Sequence, residues 1–335
     1  MLRELFRIPG LDLPIYSFGL MLVLGCWLAI QLAQFLAKRS GLNGEHFVNI
    51  GILALVSGVV GARASHVFEN WSMYFGEGGQ GFLSAINIRS GGLTYYGGVL
   101  LATPVCIAYG LWHKIPIARG MDIIAPCLLI GLGLGRVGCF LNGCCWGATC
   151  DAPWAVTFPY DSPAYDAHVE EGLVKPRPDA LWIEADPLGK TRGHWATYEE
   201  VARNTELKPI AAAARSAPVH PTQLYSTVAA LLLAGTLVAY FTLAPAPGRV
   251  FALMMMLEGL TRYTIETLRI EPAVMHLGGY GFSYSMVVGA LLTLGGIVAW
   301  FAFGAADKRR RPPEQNDASA SLAKSGDVDR MPALR

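Results

Sequence analysis

Charged residues are scarce. Asp, Glu, Lys and Arg make up 15% of the 335 residues, against about 25% in soluble domains, which excludes an ordinary water-soluble fold. The net charge of +1 says nothing about partners by itself, and no nucleic-acid partner is expected. No Cys-x-x-Cys spacing occurs despite seven cysteines, so the paired thiols of a dithiol oxidoreductase are missing. No internal repeat is found, which argues against a transporter of repeated halves. No small-residue cleavage site follows the first apolar run, and a removable signal peptide is not expected.

What is present is apolar. The hydrophobic fraction is 53% and the mean hydropathy is +0.39. A bilayer core of ~30 Å takes about 20 apolar residues of helix to cross. Seven windows meet that length, at residues 16–37, 47–68, 93–112, 121–141, 222–244, 250–268 and 282–303. Basic residues mark cytoplasmic loops. Lys38 and Arg39 follow the first window, Lys114 and Arg119 the third, Arg249 the fifth, and Lys308 to Arg311 the seventh. All four groups lie on one side, which puts the N-terminus outside and the C-terminus in the cytoplasm. Arg3 and Arg7 run the other way and are expected on a short interfacial helix.

The expectation is an all-α polytopic membrane protein with seven transmembrane helices. Residues 1–150 hold the first four. Residues 151–219, rich in Asp, Glu, Pro and His, read as an extracytoplasmic head, and 220–304 carry the last three helices. Residues 305–335 are polar and read as a disordered cytoplasmic tail.

Ionisable residues inside membrane helices are costly and mark function or internal pairing. The second window carries Arg63 and His66, the fourth Asp122 and Arg136, and the sixth Glu258, Arg262, Glu266 and Arg269. Positions 258, 262 and 266 are four apart and share one helix face, with 269 following three later. Such a strip cannot face lipid. One reading is mutual neutralisation, Arg262 between Glu258 and Glu266. The other starts from Arg136 and Arg262, two guanidiniums on different helices in the same half of the membrane. Guanidinium binds phosphate oxygens as a planar fork and keeps its charge when dehydrated, so the pair suits an anionic lipid headgroup.

Four cysteines crowd residues 139–150, spaced C-x4-C-C-x4-C. Structural zinc sites usually pair ligands as C-x2-4-C in a flexible loop, whereas Cys139 still lies in the fourth helix and two adjacent cysteines rarely serve one tetrahedral ion, so no metal and no cofactor are expected. A disulfide among Cys144, Cys145 and Cys150, pinning the loop after the fourth helix, is expected instead. Small residues at 131, 133, 135 and 138, and again in SGGLTYYGG at 90–98, allow helices to approach closely.

Several stretches together resemble one family. They are PIYSFGLML (14–22), GARASHVFEN (61–70), SGGLTYYGG (90–98), GRVGCFLNGCCWG (135–147), HPTQLY (220–225), EGLTRYTIETLR (258–269) and GFSYSM (281–286). The chain resembles the prolipoprotein diacylglyceryl transferases over nearly all of its membrane part. The resemblance implies an inner-membrane enzyme of seven helices. It would move the diacylglyceryl group of phosphatidylglycerol to the lipobox cysteine thiol of a preprolipoprotein signal peptide, releasing glycerol phosphate. The nucleophile then belongs to the substrate.

Carried over by motif, the resemblance gives Arg136 and Arg262 the phosphate. His220 and Glu266 join them as candidate catalytic residues. Arg269, Asn142, Tyr16, Gly91, Gly92, Gln223 and Tyr225 fall to the binding of phosphatidylglycerol. The group that takes the thiol's proton stays open between an arginine-lowered thiol pKa, His220 and a glutamate. This chain departs from the common pattern at Ser90, Cys144, Glu258 and Phe18, where histidine, glutamate, tyrosine and tyrosine are frequent.

Overall fold

A computed structural model describes residues 4–8, 13–76, 79, 81–87, 92, 94–184, 193–269, 273–277 and 280–310. Strands β1 (Glu4–Ile8) and β2 (Leu13–Tyr16) form an antiparallel hairpin ahead of α1 (Ser17–Arg39). Arg7 therefore lies in a strand, and the interfacial helix expected there does not form; Arg3 lies outside the described residues. Pro14 in the short LPIY run lacks the N–H that would continue a helix ladder, and the helix starts only after it.

The helices α2 (Gly44–Glu69), α3 (Trp71–Phe75), α4 (Phe82–Ile86), α5 (Tyr95–Trp112) and α6 (Ile117–Asn142) follow. Residues 151–219 carry α7 (Pro163–Glu170), a two-residue ribbon of β3 (Trp182–Ile183) and β4 (His194–Trp195), α8 (Tyr198–Arg203) and α9 (Leu207–Ala213). The chain then forms α10 (Thr222–Thr242), α11 (Arg249–Glu266), a hairpin of β5 (Ala273–Leu277) and β6 (Tyr280–Ser283), and α12 (Tyr284–Arg310).

Among the described residues, five helices are long and apolar enough to cross a membrane: α1, α2, α6, α10 and α12. α5 is apolar but shorter. α11 occupies the sixth expected window, and four of its eighteen residues are charged. The protein is thus a polytopic helical membrane protein, and it is not all-α, because three short hairpins interrupt it. The last helix begins at Tyr284 rather than 282 and runs on past residue 303 to Arg310.

The apolar windows of these helices are only 11–39% buried, and Val23, Trp27, Val56, Leu232, Val298 and Phe301 point outward. That inversion suits lipid, where apolar side chains gain nothing by hiding and close helix approach comes from small residues. The chain divides into two compact units. Residues 1–51, 126–235 and 258–290 form one; 52–125, 236–257 and 291–335 form the other.

In the first unit Gly25 of α1 lies against Gly131 and Leu134 of α6, and Gly138 of α6 faces Phe18 and Met21. Gly133 abuts α10, where Thr227 Oγ1 donates to its carbonyl at 3.1 Å. The 151–219 segment has its own core of Tyr160, Tyr165, Leu181, Ala196, Val201 and Ala211. Ser162 caps α7, and Thr197 and Glu200 form a capping box on α8. Phe158, Ala164 and Val219 pack on Phe140 and Trp146, which fastens this segment to the end of α6.

In the second unit α2 and α5 cross at glycines, with Gly61 against Gly97 and Leu101, and Gly98 against Gly58 and Ala62. Arg63 is buried there. It donates to the carbonyls of Ala85 and Ser84 at 2.7 Å and of Gly92 at 2.9 Å. Ala85 and Ser84 lie in the last turn of the five-residue α4, where helix carbonyls lack intrahelical partners. Asp122, fully buried, accepts from Gly248 N at 2.7 Å and Phe251 N at 3.0 Å, and so caps the start of α11 from another helix. Arg63 and Asp122 are accounted for as structural charges.

Candidate active site

The ionisable strip of α11 converges with α6 on a single cleft in the first unit. Arg136, Glu258, Arg262, Glu266 and Arg269 line it with Leu132, Cys145, Thr222, Ser226, Thr261, Ile265 and Ser285. Its volume is about 510 Å³ including the mouth. The four-residue spacing puts 258, 262 and 266 on one face, as the helical repeat requires. Arg269 is not on that helix. α11 ends at Glu266, and Arg269 N donates to the Glu266 carbonyl at 3.0 Å in the turn that follows.

Glu266 is 5% exposed and its carboxylate is fully engaged. Oε1 accepts from Ser283 Oγ at 2.9 Å, and Oε2 lies 3.4 Å from Arg269 Nη1. Arg136 and Arg262 differ. Neither makes a side-chain hydrogen bond or ion pair with a described residue, and Arg262 Nε is buried without a partner. Glu258 lies in the field of both guanidiniums without touching either. The mutual neutralisation of Arg262 by Glu258 and Glu266 is therefore not built. Two cations facing a small polar cleft, with their forks unfilled, form a receptor for a multiply charged oxyanion.

The remaining residues singled out from sequence separate into groups. His220, Gln223 and Tyr225 do not line the cleft; they hold the loop that closes it. Gln223 Nε2 donates to Cys144 O at 2.7 Å, and its neighbour Thr222 Oγ1 donates to Cys145 O at 3.0 Å. Gly147 N donates to His220 O and His220 N to Ala148 O, both at 3.0 Å. The His220 ring stands 3.3 Å from the Tyr225 hydroxyl, which accepts from Trp154 Nε1 at 2.8 Å. His220 is not among the residues that line the cleft. The tight HPT turn at the head of α10 turns the ring toward Tyr225.

Tyr16 and Asn142 line a second, larger groove of about 1360 Å³ with Phe18, Cys144, Thr197 and Tyr198. Gly92, at φ 75°, sits against His66 and Arg63 in the other unit. Gly91 and Ser90 lie outside the described residues.

The expected disulfide is absent: Cys144, Cys145 and Cys150 are all free thiols. Cys144 and Cys145 fold back toward Cys139 instead, because the chain reverses through Gly143 at φ 75° and Cys145 at φ 61°. Hydrogen bonds from the Cys139 and Cys144 thiols, and then the charges of Arg136 and Arg269, draw the Cys145 pKa down. Sequence reasoning passed over Cys145, Thr222, Ser226, Thr261 and Ser285 as cleft residues. For Thr261 the signal was available, since it sits beside Arg262. For Ser285 there was none, because only the fold brings α12 there.

The chain matches the prolipoprotein diacylglyceryl transferase family over residues 3–302. Among its relatives is a phosphatidylglycerol–prolipoprotein diacylglyceryl transferase of Corynebacterium efficiens, 28% identical over 314 residues, which cover 93% of this chain and 84% of the relative. One from Corynebacterium glutamicum is 26% identical over 324 residues (96% and 88%), and one from Burkholderia thailandensis 27% over 296 (86% and 88%). With a match spanning residues 3–302, the chain belongs to the prolipoprotein diacylglyceryl transferase family.

Proposed function

We propose that the protein transfers the diacylglyceryl group of phosphatidylglycerol to the lipobox cysteine thiol of a preprolipoprotein in a bacterial inner membrane. The observation that carries this reading is the pair Arg136 and Arg262, on two helices at one cleft, with no ion-pair partner among the described residues. In the reaction the acceptor sulfur attacks the glyceryl carbon that bears the phosphate. A carbon–sulfur bond forms, the carbon–oxygen bond to phosphate breaks, and glycerol phosphate leaves with the electron pair and a second negative charge. Arg136 and Arg262 hold the phosphate and stabilise that second charge, an interaction stronger in the transition state than in the ground state. Glu266, tied to Ser283, fixes Arg269 at the rim. Seven spans, counting α5 and α11, with the N-terminus and residues 151–219 outside and the tail in the cytoplasm, complete the arrangement. The signal peptide then approaches from the side of the larger groove lined by Tyr16 and Asn142.

Purified protein incubated with phosphatidylglycerol liposomes and a lipobox peptide is expected to add the diacylglyceryl mass to the peptide cysteine. Arg136→Ala and Arg262→Ala should each lower the rate about 10²-fold or more, the scale for removing one charge-stabilising donor, with circular dichroism unchanged. Unimpaired transfer in both variants would defeat the assignment.

A further inference from the structure

Of the groups able to take the acceptor thiol's proton, one carboxylate at the cleft is uncommitted among the described residues. His220 stands outside the cleft, against Tyr225. Glu266 is held by Ser283 and Arg269. Glu258 lines the cleft with Arg136 and Arg262 and is reached by the fields of both guanidiniums. It makes no hydrogen bond or ion pair with a described residue. The ionisable groups that share the cleft with it are Arg136, Cys145, Arg262, Glu266 and Arg269, while α10 and α12 add only hydroxyls.

The depth of Glu258 fits the chemistry. In the topology proposed above, α11 runs outward from Arg249 to Glu266, so Glu258 sits one turn, about 6 Å, deeper than Arg262. A phospholipid entering from the outer leaflet keeps its phosphate toward the surface and its glyceryl carbons toward the acyl chains. With the phosphate at Arg136 and Arg262, the carbon under attack lies on the Glu258 side of it. On α6 the residue one turn below Arg136 is Leu132, which also lines the cleft, so that level of α6 offers no competing base.

We propose that Glu258 is the general base of the transfer and takes the proton of the lipobox cysteine. This role rests on the transferase reading. The acceptor S–H gives its proton to a Glu258 carboxylate oxygen, and the sulfur pair attacks the glyceryl carbon bonded to the phosphate oxygen. A carbon–sulfur bond forms, the carbon–oxygen bond breaks, and its electron pair leaves on glycerol phosphate beside the two arginines. Glu258 loses a negative charge as the phosphate gains one, so the total charge in the cleft is unchanged. In a low-dielectric site that constancy matters, because uncompensated charge is costly there. Once the product has gone, the proton passes from Glu258 to water. Nothing is oxidised or reduced.

The test uses full-length protein, phosphatidylglycerol liposomes and two lipobox peptides, one with cysteine and one with selenocysteine in its place. A selenol is largely ionised at neutral pH and needs no base. Glu258→Gln keeps the side chain's size and removes the base, so with the thiol peptide kcat should fall about 10²-fold. The KM for phosphatidylglycerol should stay the same or drop, since a negative charge near the phosphate is lost. With the selenol peptide the deficit should disappear. Glu258→Asp, which keeps a carboxylate, should retain more of the thiol rate than Glu258→Gln. Wild type alone gives a reading that needs no variant to fold. Its rate with the thiol peptide should stay level between about pH 7 and 8, whereas dependence on free thiolate would raise it about 10-fold per unit. Such a rise would overturn the base, as would an unimpaired Glu258→Gln. Equal losses with thiol and selenol would make Glu258 a residue that only shapes the cleft. No transfer from wild type to either peptide would defeat the transferase reading itself.

Discussion

At the level of single residues, ionisable groups are used in three distinct ways. Arg63 and Asp122 are buried and satisfied by backbone groups of neighbouring elements, so their charge terminates or starts helices. Arg136 and Arg262 are held at a cleft and make no side-chain hydrogen bond or ion pair with a described residue. His168 shows a third use. It is 3% exposed, and its Nδ1 accepts from Ala217 N at 3.1 Å beside Trp146, so it must be neutral. Burial lowers its pKa, with Glu171 opposing. The unfolded chain, with a histidine pKa of about 6.5, therefore binds the proton more readily than the folded one. Its contribution to stability is complete above that pH and is lost as the pH falls below it. Melting of the protein in detergent should fall more steeply between about pH 7.5 and 5.5 for wild type than for His168→Gln. Equal slopes would refute the assignment.

At the level of elements, small residues decide where helices meet. Gly58 and Gly61 lie almost one turn apart on α2. A Cβ at 58 would meet nothing within 4 Å, whereas one at 61 would collide with the Gly97 carbonyl and the Leu101 side chain of α5. Gly58→Ala should be neutral or gain slightly from helix propensity, while Gly61→Ala should force α5 away and cost on the order of 1–3 kcal/mol. Thermal unfolding in detergent reads both. Similar losses in the two variants would mean that the crossing is not the cause. The charged strip of α11 was readable from its four-residue spacing. Its partner was not, because a helix pattern states which face is polar but not which helix meets it. Nor was the break after Glu266 readable, which moves Arg269 off the helix and onto the rim.

At the level of the whole molecule, the basic residues after α1, α5 and α10 and at the end of α12 set an orientation. The topology proposed above puts residues 151–219, folded around Tyr160, Tyr165 and Leu181, on the opposite side. A membrane-impermeant maleimide applied to intact cells stripped of their outer layer should label Thr205→Cys above the wild-type background and leave Ala305→Cys unlabelled. The reverse pattern would invert the topology. The same segment reaches back to the membrane part through Phe158 and Val219 on Phe140 and Trp146, and through Thr197 and Tyr198 beside Tyr16 and Asn142. It is therefore part of the larger groove rather than a detached insertion.

The membrane character, most helix positions and the intramembrane charges of α6 and α11 were determined by the sequence alone. Length, hydropathy and the cost of an ionisable group in lipid are local quantities, each readable along the chain. Tertiary structure decided what depends on distance across it. It left Arg136 and Arg262 without an ion pair to any described residue, while Glu266 was spent on Ser283 and Arg269. It set His220 to hold a loop rather than face the cleft. The cysteines are the clearest case. Their spacing argued for a disulfide among Cys144, Cys145 and Cys150, all of which are free. Two residues with positive φ, Gly143 and Cys145, turn the chain back toward Cys139, and backbone reversal of that kind leaves no mark in the spacing of cysteines.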